Sequence, residues 1–341
     1  MHEPIRIGLD VAKSIFQVAI RDHRGKVKTV RLRRAELLEH LAQQPEAIVF
    51  MEACGSSHFW GRRIEELGHQ VALLPPHHVR PYVRGNKTDR TDARGILDAG
   101  THADLLPVPI KRESQQQLTS IHRMRSGWTA ERTRRLNSIR GLLREFGIFI
   151  PLGAERVVPA TWAALEDADS SLPDGLRPLL AEACNEVRQI ESRIQLAERQ
   201  LKAIAQQIPE VALLRTVPGI GLLTATALVA WIGDVRRFPT GRHMSSFVGL
   251  TPREFSSGLK RYLGRISKRG DGYLRSLLTQ GARSFLIHAH QYEGDRLAEW
   301  ALRLSQGRHH NKVAIAVANK LTRVVWAVWT RGEPYSKLAT A

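Results

Sequence analysis

Four carboxylates and one pair of serines are the residues whose types and spacing could do chemistry. Asp10 stands in GLDVAK, directly after the apolar run IRIGL, and Glu52 stands in FMEAC at the end of another short apolar run. Asp89 and Asp92 lie three residues apart in NKTDRTDARGILD, among Lys87, Arg90 and Arg94. Burying an unpaired carboxylate is costly, so an acid at the end of an apolar strand needs a partner. Residues three apart share a helix face, so Asp89 and Asp92 would project together from a helix crossing the same sheet. Four acids at one point require cations. Hard oxygen donors select Mg2+ or Mn2+, and a metal pair about 4 Å apart could act on a phosphodiester. The plainer reading is that Arg90 and Arg94 pair with these acids at the surface, an effect worth under about 1 kcal/mol.

The serines lie in FVGLTPREFSSGLKRYLGRISKRGDGYLRSLL. Ser256, Ser257 and Gly258 fall in an expected loop, close to Arg253, Lys260, Arg261, Arg265, Lys268 and Arg269. A serine hydroxyl attacks phosphorus if it is held in line and surrounded by positive charge, which the guanidinium groups could supply. The alternative is a solvated basic loop with serines as turn formers. A further motif, PGIG in TVPGIGLLTATALVAWIG, resembles the glycine-rich turn of helix-hairpin-helix modules, in which backbone amides approach a phosphate. A tight turn needing Gly219 and Gly221 for φ alone is the other reading.

Three expected segments would position these residues. Over residues 1–108, IRIGLDV, IFQVAIR, VKTVRLR, AIVFMEA and HQVALLP read as strands, with RRAELLEHLA and SSHFWGRRIEELG as helices. The order predicts a mixed sheet covered by helices. Residues 109–208 read as long helices joined by a Pro- and Gly-bearing connection, PLGAERVVPATWAALEDADSSLPDG. Leu180, Ala183, Val187, Ile190, Ile194, Ala197, Leu201, Ile204 and Ile208 alternate spacings of three and four, a coiled-coil seam of about 40 Å at 1.5 Å per residue. It serves either an antiparallel hairpin within the chain or a contact between two copies. Residues 209–341 read as mostly helical, around Leu222 to Trp231, Asp271 to His288 and Lys312 to Trp329.

The 341 residues carry 51 Lys and Arg against 33 Asp and Glu, a net charge of +18. With a pI near 10.7, this makes nucleic acid the expected partner. The opening MHEPIRIGLD has no hydrophobic signal core, and VAIAVANKLTRVVWAVW is interrupted by Lys320 and Arg323, so a cytosolic protein is expected. Cys54 and Cys184 form no CxxC pair, which gives no support to a disulfide framework or a zinc cluster. No Walker-type phosphate loop is present. The pairs His77, His78 and His309, His310 suit helix-end or phosphate contacts better than a shared metal.

GLDVAK, MEACG, KTDRTDA, PGIG and GLTPREFSSG followed by GRISKRG, in that order over nearly the whole chain, resemble the DEDD-type insertion-sequence transposases described as bridge-RNA-guided recombinases. The resemblance implies an RNase-H-like domain bearing Asp10, Glu52, Asp89 and Asp92, a coiled-coil segment, and a transposase domain whose nucleophile falls at Ser257, with Ser256 adjacent. It also implies a dimer pairing into a tetramer on donor and target DNA, the acids and serine meeting across a subunit contact, and a structured noncoding guide RNA. The function expected is a bacterial, nucleoid-associated DNA recombinase. The alternatives are a metal-dependent junction nuclease using water and a non-catalytic nucleic-acid-binding protein.

Overall fold

A computed structural model describes residues 4–83, 89–102 and 107–337, apart from the side chain of Asp89. The chain divides into two compact units, Met1–Ser114 and Gln115–Ala341.

In the first unit β1 (Ile5–Asp10), β2 (Ile15–Arg21), β3 (Val27–Arg33), α1 (Leu37–Ala42), β4 (Ala47–Glu52), α2 (Ser57–Glu65), β5 (Gln70–Leu74), α3 (Pro76–Val79) and α4 (Asp89–Gly100) follow in order. The sheet order is β3-β2-β1-β4-β5. The first three strands form an antiparallel meander, and β4 and β5 add in parallel to β1. The turn after β2 closes because the Asp22 carboxylate accepts from the amides of Arg24 and Lys26 at 3.0 and 2.9 Å.

Alternation along the strands sorts side chains to two faces. Ile7 and Leu9 of β1 and Val49 and Met51 of β4 pack with Phe16, Leu37, Trp60 and Ile64 beneath α1 and α2. The opposite face carries Phe50 and Ala19, covered by Ala93, Ile96 and Leu97 of α4. Gly8 lies on that second face. A Cβ there would collide with the Ala93 carbonyl and come within 2.7 Å of Leu97 Cβ. Only a residue without a side chain lets α4 rest directly on β1.

The second unit comprises α5 (Glu113–Glu145), α6 (Val157–Glu166), α7 (Arg177–Ala205), α8 (Pro209–Leu214), α9 (Leu222–Ile232), α10 (Gly241–Val248), β6 (Pro252–Glu254), β7 (Leu263–Ile266), α11 (Gly272–His288), α12 (Arg296–Ser305) and α13 (His310–Arg331). The expected connection between the long helices holds a helix of its own. Val157 of α6 is buried with Leu136, Ile139, Leu143, Leu180, Cys184 and Val187.

Arg125 pairs with Glu198 at 2.6 Å, Arg132 with Glu191 at 2.8 Å, and Arg135 with Glu186. As the arginines advance along α5 the glutamates retreat along α7, so the two helices run antiparallel within one chain. Of the expected seam, Leu180, Val187, Ile190, Ala197 and Leu201 are buried, while Ala183, Ile194, Ile204 and Ile208 are half-buried.

α9 is buried nearly all round, as a helix apolar on every side must be: Thr224 to Ala230 and Ile232 lie inside. His122 of α5 ties it to α11. Thr226 donates its hydroxyl to the Leu222 carbonyl at 2.7 Å, so its oxygen accepts from His122 Nε2–H at 3.0 Å, and His122 Nδ1 accepts from the Tyr273 hydroxyl at 3.0 Å. Burial, helped by the Arg125 charge, lowers the His122 pKa from 6.5 to about 4. Among the described residues no helix is long and apolar enough to cross a membrane.

Two predictions follow from these contacts. Because the folded pKa of His122 lies below its unfolded value, its contribution is complete above pH 6.5 and is lost as pH falls towards 4, by about 3 kcal/mol at full protonation. Denaturant unfolding at stepped pH should show this slope in the native chain and a flatter one in His122→Gln. Gly8→Ala should lower stability by about 1–3 kcal/mol through overpacking against α4, read as a lower urea midpoint at unchanged slope.

Candidate active site

Asp10 ends β1 and Glu52 ends β4, and these strands are parallel neighbours with Leu9 level with Met51. Each acid lies two residues beyond a residue facing α4, Gly8 and Phe50 respectively, so alternation aims both to the α4 side at the carboxyl edge of the sheet. Both are half-buried.

The direction of α4 follows from its contacts. Asp98 accepts a charged hydrogen bond from Arg21 at 2.6 Å, and Arg21 is the strand partner of Arg6. Ala93 and Leu97 lie over Gly8. The turn of α4 from Ala93 to Leu97 therefore lies across β1 at Gly8, with Asp98 within reach of the Arg21 side chain. Ala93, the residue after Asp92, thus sits over the strand two residues before Asp10.

Asp92 is half-buried, and Arg90 and Arg94 are exposed. Among the described residues neither arginine forms an ion pair, nor do Glu52 and Asp92. Of the salt bridges the sequence suggested, none is made by Glu52 or Asp92 among the described residues. The side chain of Asp89 and the whole of Lys87 lie outside the described residues. Among the described residues no three His, Cys, Asp or Glu side chains gather closely enough to hold a metal ion. The donor set itself, carboxylate oxygens only, is that of a hard divalent cation.

The basic segment is a hairpin rather than the loop expected. β6 and β7 pair antiparallel, Phe255 N donates to Tyr262 O at 2.9 Å, and Ser257 and Lys260 exchange amide-to-carbonyl bonds of 3.2 Å across the tip. Gly258, with φ +55°, starts the two-residue turn, as glycine does in the tight turns of hairpins.

The register places Phe255, Ser257, Lys260 and Tyr262 on one face and Glu254, Ser256 and Arg261 on the other. The contacts agree. The Ser256 hydroxyl donates to Glu254 Oε1 at 2.7 Å and accepts from Tyr262 N at 3.3 Å, and Arg261 Nε lies 3.3 Å from the same Glu254 oxygen. The Ser257 hydroxyl makes no hydrogen bond among the described residues and is exposed. The hold of Glu254 on Ser256 was not read from the sequence, although the spacing E-x-S was its trace.

Around the hairpin, Arg253 donates to the Ser267 carbonyl at 3.3 Å, while Lys260, Arg265, Lys268 and Arg269 are exposed. Lys268 adopts φ +54°, its amide donating to the Gly249 carbonyl at 3.1 Å.

The two glycines of the PGIG turn differ. Gly219 has φ +78°, and a Cβ there would sit 2.6 Å from the Gly281 carbonyl of α11, so helix packing alone accounts for it. Gly221 has φ −84° and open space where a Cβ would stand. With Leu222, Thr224, Gln280 and Ser284 it borders an open groove at the start of α9.

A family model described as Transposase IS116/IS110/IS902 family matches residues 211–298, and a transposase model of the DEDD type of IS110 matches residues 7–148. A "Probable family 20 transposase" of Pseudomonas aeruginosa is 41% identical over 97% of this chain and 98% of its own. The transposase for insertion sequence element IS1328 of Yersinia enterocolitica is 37% identical over 97% and 98%. The transposase for insertion sequence element IS1111A of Coxiella burnetii is 36% identical over 96% and 90%. With such identity along almost its full length, the chain belongs to the IS110/IS116/IS902 family of DEDD-type insertion-sequence transposases.

Proposed function

We propose that this transposase is a site-specific DNA recombinase in which Asp10, Glu52, Asp89 and Asp92 form one divalent-ion cradle and Ser257 is the nucleophile. The observation that carries the first half is the placement of Asp10 and Glu52 at the ends of adjacent parallel strands, on the face that α4 covers. The strand order β3-β2-β1-β4-β5, antiparallel on one side of β1 and parallel on the other, supports an RNase-H-like reading of this unit. Mg2+ or Mn2+ held there would polarise the phosphodiester and favour charge on its oxygens. The chain's own acids would orient the scissile phosphate through that ion.

For the second half, the support is the contrast between the serines. Ser256 is engaged by Glu254, whereas Ser257 offers an uncommitted hydroxyl on the opposite hairpin face. In the proposed reaction Ser257 Oγ forms a bond to phosphorus and loses its proton. The bond from phosphorus to the 3′ oxygen breaks, and that oxygen takes a proton to become a free hydroxyl. A 3′-hydroxyl of the partner strand then attacks the phosphoserine and returns the serine, so bond energy is conserved without ATP. Arg253, Lys260, Arg261, Arg265, Lys268, Arg269, Arg90 and Lys87 would supply backbone contacts, and the Gly219 to Gly221 turn would offer α9 amides to a phosphate.

The proposal includes a guide RNA that supplies sequence choice while the protein reads backbone and shape. It also includes a homodimer assembling to a tetramer on two duplexes, with 109–208 as the coiled-coil segment between the catalytic domain (1–108) and the transposase domain (209–341). The setting would be the bacterial cytoplasm, at the nucleoid.

Ser257→Ala should abolish both strand cleavage and the covalent protein–DNA adduct on denaturing gels, while Ser256→Ala should retain them. Continued cutting by Ser257→Ala would favour a junction nuclease using water. Asp10→Asn and metal chelation should each remove cleavage while leaving DNA binding in gel shifts; retention of activity would dismiss the cradle. Binding should weaken by about a thousandfold or more between 50 and 200 mM salt if six or more phosphates are neutralised, measured by fluorescence anisotropy.

A further inference from the structure

Four large apolar side chains lie exposed on a hairpin of about a dozen residues: Phe255 at 61% exposure, Leu259 at 107%, Tyr262 at 65% and Leu263 at 46%. None packs against the buried core of the unit. Soluble proteins seldom expose such a concentration without a partner for it.

Their distribution is not even. Phe255 and Tyr262 are directly cross-strand, their ring centroids 6.2 Å apart, and the Phe255 ring leans over Gly264, where a Cβ would come within 3.0 Å of it. Ser257 and Lys260 follow on the same face. Leu259 caps the turn two residues beyond Ser257, and Leu263 falls on the other face with Glu254. The aromatic pair, the fully exposed leucine and the uncommitted serine therefore form one continuous edge.

Lys260 stands on that edge, Arg253 and Arg265 lie elsewhere on the same hairpin, and the only acid on the hairpin, Glu254, is turned away and held by Arg261 and Ser256. An apolar edge set among cations complements a polyanion whose interior is flat and apolar. A lipid surface offers no such planar partner for two rings. Aromatic rings stack on unpaired bases, and apolar side chains on DNA-binding elements wedge between base steps.

We propose that Phe255, Tyr262 and Leu259 form an unstacking edge that receives a nucleobase next to the scissile phosphate, opening the duplex where Ser257 attacks. This deepens the nucleophile assignment above and rests on it for location alone. The chemistry has a use for it, because a strand can be handed to a partner duplex only once the bases beside the break have left their own stack. These are positioning residues: they act on the DNA flanking the reaction, and Ser257 does the chemistry.

The test uses full-length Ser257→Ala protein and a duplex spanning the element's own end, with 2-aminopurine placed singly on each side of the phosphate mapped by the adduct. Binding should raise the fluorescence severalfold at one flanking position. The rise should be lost when Phe255→Ala and Tyr262→Ala are added, reduced with Leu259→Ala, and kept with Leu263→Ala on the opposite face. All four side chains are exposed, so circular dichroism should be unchanged.

No rise in the parent, or an equal rise in the aromatic double variant, overturns the proposal. So does a drop in assembly mass of the double variant by sedimentation without DNA, which would assign the edge to a second copy of the chain. Failure of the nucleophile assignment would read differently, as cleavage by the Ser257→Ala parent itself.

Discussion

The close seating of α4 on β1 at Gly8 is the constraint on which the acidic site depends. A helix and a strand approach this nearly only where one presents no side chain, and here the Ala93 carbonyl occupies the space a Cβ would take. Asp10 is two residues beyond Gly8 along the strand, and Asp92 is the residue before Ala93. A side chain at position 8 would lift the first turn of α4 from the strand ends that carry Asp10 and Glu52. The Arg21 to Asp98 ion pair holds the far end of the helix, so the contact at Gly8 acts as the near end of a two-point attachment.

The second unit solves a different problem, that of leaving one serine hydroxyl uncommitted on a thin hairpin. The helices of the unit are fixed by close contacts of their own. α9 is enclosed by its neighbours, His122 bridges Thr226 and Tyr273, and Gly219 and Gly281 allow the turn before α9 to press on α11. In the hairpin, strand alternation separates two adjacent serines. One is bound to a carboxylate, and the other points with the aromatic residues.

Much of this was legible in the sequence. The five strands and the helices of the first unit appear where their periodicity put them, because alternation and apolar runs are local properties. The acids could be paired by their positions at strand ends. Gly8 was not legible, since its reason is a carbonyl 85 positions further along the chain. The apolar spacing of α7 was read, but not that α5 lies antiparallel beside it within the chain. That arrangement resides in Arg–Glu pairs between 51 and 73 residues apart, such as Arg135 with Glu186 and Arg125 with Glu198. The serine hairpin passed for a loop because glycine, serine and arginine have weak strand preference, and only the pairing with LGRI makes PRE a strand. His122 looks like one more polar residue on a basic helix until its two partners, 104 and 151 residues away, are in place.

The central claim is that residues drawn from β1, β4 and α4 hold one divalent cation between them. Iron-directed backbone cleavage addresses it without reference to DNA cutting: Fe2+ takes the place of Mg2+, and ascorbate with peroxide releases hydroxyl radicals that cut the polypeptide beside the bound ion. The account predicts three cuts appearing together, near residue 10, near residue 52 and near residues 89–92, all suppressed by excess Mg2+ and all absent in Asp10→Asn. Cuts at a single one of these places, or a diffuse pattern that Mg2+ does not suppress, would contradict it.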